Sequence, residues 1–315
     1  MADTLNSIFL IGRPFSPFYS LCMQLRSRMY KKGYFRSEKM GVPVISVGNL
    51  TLGGTGKTPI VRYIAALLKN NGYRPAIISR GYGGKSKEKV TVVSDGRTVL
   101  MDAKHAGDEP VLLAESLPGV PVVTGVVRIH TCRFAIQNLQ RNILILDDGF
   151  QHLPVVRDID LVLFNAAAPL GNNHVFPGGE LREPFSALSR ADAFMVTGMS
   201  ERFQPQIEKF QLQLKKNFPQ TPFFFSTYAP LECRKKDNPQ SLALSEIPSD
   251  IYGFCGIANP SRFHETLTKC GFNIMGFTEL KDHQVYDQEL IERITRLAKA
   301  SGAPALVTTE KDMVK

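Results

Sequence analysis

At 315 residues the chain can hold one large α/β domain and a smaller one, its 43% hydrophobic content supports ordinary cores, and its +9 formal charge suits an anionic partner: nucleic acid, phosphorylated substrate or acidic lipid. Five cysteines, Cys22, Cys132, Cys233, Cys255 and Cys270, are scattered without a C-x-x-C, which excludes a disulfide framework and a zinc site and suits a reducing compartment. No apolar run approaches the roughly 18 residues that span a bilayer, and the N-terminus lacks signal-peptide order, so neither export nor a membrane crossing is expected.

Residues 1–36 form an amphipathic, basic segment. Leu5, Ile8, Phe9, Leu10, Ile11, Phe15, Phe18 and Leu21 come first, and Arg26, Arg28, Lys31, Lys32 and Arg36 follow. Pro14 and Pro17 interrupt the pattern and place the helical part from about Pro17 onward. The composition suits a helix lying on anionic lipid; a helix packed on the domain with a solvated basic end is the alternative.

Val44, Ile45 and Val47 then read as a buried strand, and Ile60, Val61, Ile64, Ala65 and Leu68 repeat at helical spacing after Pro59. Between them Thr51, Leu52, Gly53, Gly54, Thr55, Gly56, Lys57 and Thr58 make a phosphate-binding loop. Its glycines reach positive φ and let backbone N–H groups turn on an anion at a helix N-terminus. Lys57 can reach the β- and γ-phosphates, and the Thr58 hydroxyl can ligate Mg²⁺. The usual G-x-x-x-x-G-K-[ST] pattern has glycine where this chain has Thr51.

Arg74 to Gly84 is a second short strand running into a glycine-rich loop, where Arg80 meets a phosphate or caps the turn. Lys85 to Val99 alternates around Asp95-Gly96 and predicts a hairpin. Asp108 and Glu109 open an apolar helix, either as an N-cap that complements the helix dipole or as a base plus a metal ligand facing the phosphates. Asn142 to Asp148 is a buried strand ending in Asp147 and Asp148, the Walker B arrangement that holds Mg²⁺ beside a phosphate loop. Arg182, in the polar loop 177–184, suits a transferring phosphoryl group, with a surface salt bridge to Glu180 or Glu183 as the alternative. A further strand covers 191–197.

The character changes after Ser200, which places a boundary between a core domain, 37–200, and a smaller α/β domain with its hinge, 201–315. Phe223 to Phe225 resume a strand within the latter. Asp282 and His283 lie in a loop before a helix over 287–300. Lys311 and Asp312 are adjacent, so the guanine-specific N-K-x-D spacing fails. The ending shortly after the strand at 305–309 predicts further native residues beyond 315. The fold class is α/β, a P-loop NTPase parallel sheet with a second, smaller α/β domain across a nucleotide cleft.

With these pieces placed, the chain closely resembles the tetraacyldisaccharide 4'-kinase family of lipid A biosynthesis. The likeness rests on Gly48 to Pro59, with a hydroxyl residue at Thr51, then Ser79 to Gly83, Gly107 to Pro110, Asp147 to His152, Gly179 to Pro184, Asp282-His283 and Glu310 to Asp312, all in the family's order. It implies an enzyme at the cytoplasmic face of the inner membrane, peripherally bound to anionic lipid. Such an enzyme moves the ATP γ-phosphate, with Mg²⁺, onto the 4'-hydroxyl of a tetraacylated glucosamine disaccharide 1-phosphate. The family's catalytic aspartate falls on Asp108 and its histidine partner on His283, with Lys57 and Arg182 neutralising charge and Thr58, Glu109, Asp147 and Asp148 around the metal. Arg80, Tyr82 and His152 are candidates for substrate contact. No nucleic acid and no obligate protein partner is expected. The rival is a P-loop ATPase or GTPase of the metal-insertion or switch class, which should carry N-K-x-D spacing or Cys/His metal ligands.

Overall fold

The computed structural model describes residues 9–86, 88–235, 238–282 and 284–315. A 3₁₀ turn, Arg13–Phe15, leads into helix α1 (Ser16–Lys31), with Pro17 in its first turn where a missing N–H is harmless. Then come β1 (Val44–Asn49), α2 (Lys57–Asn70), β2 (Pro75–Ser79), β3 (Thr91–Ser94), α3 (Ala103–Ala106), α4 (Asp108–Ser116), β4 (Val122–Thr124), α5 (Arg128–Gln137), β5 (Ile143–Asp147), β6 (Ile159–Asn165), β7 (Ala193–Thr197), α6 (Gln204–Asn217) and β8 (Phe223–Ser226).

These strands form one eight-stranded sheet in the order β3-β4-β2-β5-β1-β6-β7-β8. All neighbours are parallel except β3 against β4. Both faces are covered, which is why the central strands are continuously apolar. Ile77 and Ile145 face α2 and α4, whereas Ala76, Ile78, Leu144 and Leu146 face Cys132 and Ala135 of α5. A third cluster packs Ile207, Phe210 and Leu214 of α6 on Phe164 and Phe194. The large sheet therefore continues past residue 200, where the boundary was expected, to Ser226. The polar stretch after Ser200 belongs to the outer face of α6, whose inner face completes this core. The expected hairpin is reduced to a single bridge, Ser94 to Val99, because β3 takes β4 as its ladder partner.

Beyond Ser226 lies a smaller unit. β9 (Cys233–Lys235) and β10 (Asn238–Leu242) make an antiparallel ribbon. Next come β11 (Asp250–Cys255), α7 (Pro260–Lys269), β12 (Asn273–Glu279), α8 (Gln288–Ala300), β13 (Ala305–Val307) and α9 (Glu310–Met313). The three strands pair in parallel as β12-β11-β13. Tyr252, Phe254, Ile294 and Ala298 fill one small cluster, and Ile251, Leu267 and Phe272 another.

Helix α1 meets both readings of the basic segment. One side is tied to the large unit: Ser16 Oγ donates to the Val175 carbonyl at 2.7 Å and Arg26 to the Gln151 carbonyl at 3.1 Å. Leu10, Ile11, Phe15, Phe18, Leu21 and Leu25 stay exposed. Leu5 and Ile8 lie outside the described residues. Among the described residues, no helix is long and apolar enough to cross a membrane.

Candidate active site

The loop between β1 and α2 is held by its carbonyls and its flank. Asn49 Nδ2 donates to the Thr51 carbonyl (2.7 Å), Asn165 to that of Gly54 (3.2 Å) and Thr197 to that of Thr55 (2.8 Å). The Leu52 N–H reaches the Glu180 carbonyl at 2.7 Å and the Arg182 N–H the Leu50 carbonyl at 2.8 Å, so residues 180–182 are zipped to the loop. Gly53 and Gly56 take φ of 101° and 72°, and a Cβ at Gly56 would run into the Tyr228 hydroxyl. Only glycine meets both demands at position 56. Thr51 and Thr55 are buried, Leu52 is exposed and Thr58 is half-buried.

That zipper places Arg182 against the end of β5. Its guanidinium contacts Asp148 Oδ2 at 2.8 Å, and Lys57 Nζ lies 3.6 Å from Asp148 Oδ1 and donates to Asn49 Oδ1 at 3.2 Å. Neither alternative partner of Arg182 is used, and Glu183 pairs with Arg190 at 2.9 Å. Burial pushes the Asp148 carboxyl up, but the charges of Lys57 and Arg182 more than offset it and hold it below its ordinary range. Asp148 sits at φ 53°, which aspartate tolerates better than most residues, and the nearly fully buried Arg128 donates to its carbonyl at 2.7 Å.

Asp147 behaves differently. It is buried, one oxygen accepts from Ser79 Oγ at 3.1 Å, and the other has no hydrogen-bond partner among the described residues. Burial, then the charges of Glu109 and Asp148, raise its pKa to about 6. A buried carboxylate with a bare oxygen fits a cation. Among the described residues no three of His, Cys, Asp and Glu converge to hold a metal. Glu109, Asp147 and Asp148 are thus not a ready-made cage, since Asp148 is engaged by two cations.

Asp108 and Glu109 occupy the first turn of α4, but the capping residue is Gly107, which makes no side-chain cap. Gly107 is needed because its φ is 92° and a Cβ would strike the Tyr82 carbonyl. That packing seats the 81–86 loop beside the α4 start, with Tyr82 79% exposed. Arg80 is also exposed. His152 is half-buried; burial and then Arg128, Arg157, Arg26 and Arg80 push its pKa down to about 3.

The smaller unit reaches the same acids. Lys311 Nζ stands 3.8 Å from Glu109 and 3.3 Å from Asp282, and Lys315 Nζ 4.0 Å from Asp108 Oδ2. His283, expected to pair with Asp108, lies outside the described residues.

A family model described as Tetraacyldisaccharide-1-P 4'-kinase matches residues 8–315. The chain belongs to that family. Relatives named tetraacyldisaccharide 4'-kinase include one from Desulfotalea psychrophila, 50% identical over 98% of this chain and 88% of its own length, and one from Syntrophus aciditrophicus, 43% identical over 97% and 84%. Among solved structures, LpxK from Aquifex aeolicus, described as an "apo" form in complex with ATP, is similar at 32% identity. Its TM-score is 0.76, over 98% of this chain and 90% of that one. The kinase identity and the P-loop α/β fold expected from the motifs are thereby borne out.

Around the site acids, sequence reasoning missed Ser79, Arg128, Lys311 and Lys315 as neighbours. Ser79 and Lys311 lie inside motifs already singled out, which was the available signal. Arg128 and Lys315 carry none, since a lone cation outside any motif reads as surface.

Proposed function

We propose that the chain transfers the γ-phosphate of ATP to the 4'-hydroxyl of a tetraacylated glucosamine disaccharide 1-phosphate in lipid A biosynthesis. The observation that carries this reading is the convergence of Lys57 and Arg182 on Asp148, next to the buried Asp147 and facing the start of α4. Two cations held beside a phosphate loop are placed to stabilise charge that develops on a transferring phosphoryl group. Asp147 and the Thr58 hydroxyl would hold Mg²⁺, which supplies neutralisation of the phosphate oxygens when bound. Asp108, with His283, acts as the base that orients the acceptor hydroxyl and takes its proton.

The acceptor is a four-chain lipid, and withdrawing it from a bilayer costs roughly 0.8 kcal/mol per CH₂, so the enzyme works at the membrane. The exposed Phe15, Phe18 and Leu21 beside Arg26 and Arg28 support peripheral binding to anionic lipid at the cytoplasmic face of the inner membrane. An enzyme lacking residues 1–35 that stays folded and binds vesicles equally well would remove that part of the reading.

The deciding experiment is ³²P transfer from γ-labelled ATP to tetraacyldisaccharide 1-phosphate in detergent micelles. Labelled lipid from the wild type, greatly reduced in a folded Asp108→Ala variant that still binds ATP, is the expected result. Hydrolysis of nucleotide with no labelled lipid would reject the acceptor.

A further inference from the structure

The last turn of the described chain carries a buried ammonium that the phosphoryl-transfer scheme does not use. The Lys315 side chain is only 4% exposed. Its Nζ donates to Asp312 Oδ1 at 2.8 Å and to the Gly256 carbonyl at 2.8 Å, and it stands 4.0 Å from Asp108 Oδ2. An ammonium has three N–H groups, and two are spent inside its own unit. Around the ammonium stand the Asp108 carboxylate of the large unit at 4.0 Å and, in its own unit, the Tyr286 ring with its centroid at 5.7 Å.

The mount is rigid. Asp312 is itself buried, and its Oδ2 accepts from the Gly256 N–H at 3.1 Å and from Thr309 Oγ1 at 2.7 Å, while Thr309 caps α9. Lys315, Asp312, Thr309 and Gly256 therefore form a post fixed to the end of β11. The neighbouring Lys311 repeats the geometry toward Glu109 at 3.8 Å.

We infer that Lys315 is a positioning residue for Asp108: the buried ammonium of the smaller unit orients the large unit's aspartate toward the acceptor when the two units are together. The inference rests on the reading of Asp108 as the base. It makes the smaller unit part of the catalytic geometry, so that separation of the units removes the Lys315 charge from Asp108, and phosphoryl transfer is fastest in the closed arrangement.

The test uses the full chain, with lipid phosphorylation, ATP KM and Tm measured together. Lys315→Gln keeps a donor for Asp312 and Gly256 and loses the charge. It is expected to lower kcat about tenfold or more while ATP KM stays within about twofold. In an Asp108→Asn background the same change is expected to alter residual turnover by less than about twofold, because the group it acts through has been neutralised. Lys315→Arg, which keeps the charge, is expected to retain more turnover than Lys315→Gln. Equal losses in both backgrounds, a wild-type kcat in Lys315→Gln, or no difference between the Arg and Gln variants overturns the inference. If Lys315→Gln does not fold, Lys315→Met takes its place with the same outcomes. Failure of the wild type to phosphorylate the lipid, or full activity in Asp108→Asn, would instead overturn the underlying reading and this one with it.

Discussion

The two units of the molecule are built to different standards. In the large unit β2 and β5 are buried along their whole length, between helices on both faces. In the smaller unit β11 is buried at its centre, but β12 is half-buried or exposed throughout, and none of β13 is fully buried. The links across the units are mostly charged: Arg62 to Glu310 at 2.8 Å, Arg202 to Glu265 at 3.1 Å, Lys311 to Glu109 at 3.8 Å, and Lys315 to Asp108 at 4.0 Å. Val314 adds an apolar contact to the large core. A buried parallel sheet holds the phosphate loop still, whereas exposed ion pairs exchange readily with water and salt. The difference teaches that the nucleotide end of the site is fixed and the closing end is adjustable.

The sharpest way to expose this asymmetry is to cut into each core. Leu146→Ala, at a fully buried β5 position, is expected to destabilise by about 2–5 kcal/mol. Met275→Ala on β12, exposed by nearly half, should stay within about 0.5 kcal/mol. Denaturant midpoints of the two variants provide the comparison, and equal shifts would erase it.

Within the fixed half, Lys57→Ala should lower kcat on the order of 10²–10³-fold with little change in Tm, since one donor to developing charge is removed. A variant with near-normal turnover would show that Arg182 alone suffices.

The pH dependence of stability probes the same half. The His152 pKa is pushed well below its ordinary value, to about 3, by burial and four arginines. Its contribution to stability is therefore fully present above the unfolded value near 6.5 and is lost progressively as pH falls toward 3. Thermal melts between pH 7.5 and 5 should show Tm falling on the acid side, and His152→Gln should flatten that slope.

The smallest effect is expected at the adjustable half. Glu310→Gln removes an exposed partner of Arg62 and should change stability by no more than about 1 kcal/mol, with the difference shrinking in high salt. A loss several times larger, insensitive to salt, would mean that the interface is not the loose one described.

Much of this could be read in advance. The strand–loop–helix around Gly53 to Thr58, the acidic end of β5 and the order of motifs are local patterns, and local chemistry dictates them. Phe223 to Phe225 were legible as a strand but not as part of the large sheet, because pairing to β7 depends on how α6 turns the chain back. Asp147 and Asp148 are neighbours in sequence and look interchangeable there. In the fold, one lies buried against Ser79 and the other at positive φ beneath two cations.

By itself, then, the amino-acid order determined that a phosphate loop, a paired-aspartate strand and an Asp108-led helix exist, because glycine torsions, apolar periodicity and helix starts are decided within a few residues. Only the tertiary structure decided which charge meets which: Arg182 with Asp148 across 34 residues, Arg62 with Glu310 across 248, and Lys315 with Asp108 across the whole cleft. Such meetings depend on the path of the backbone through two sheets, and no local rule of spacing encodes that path.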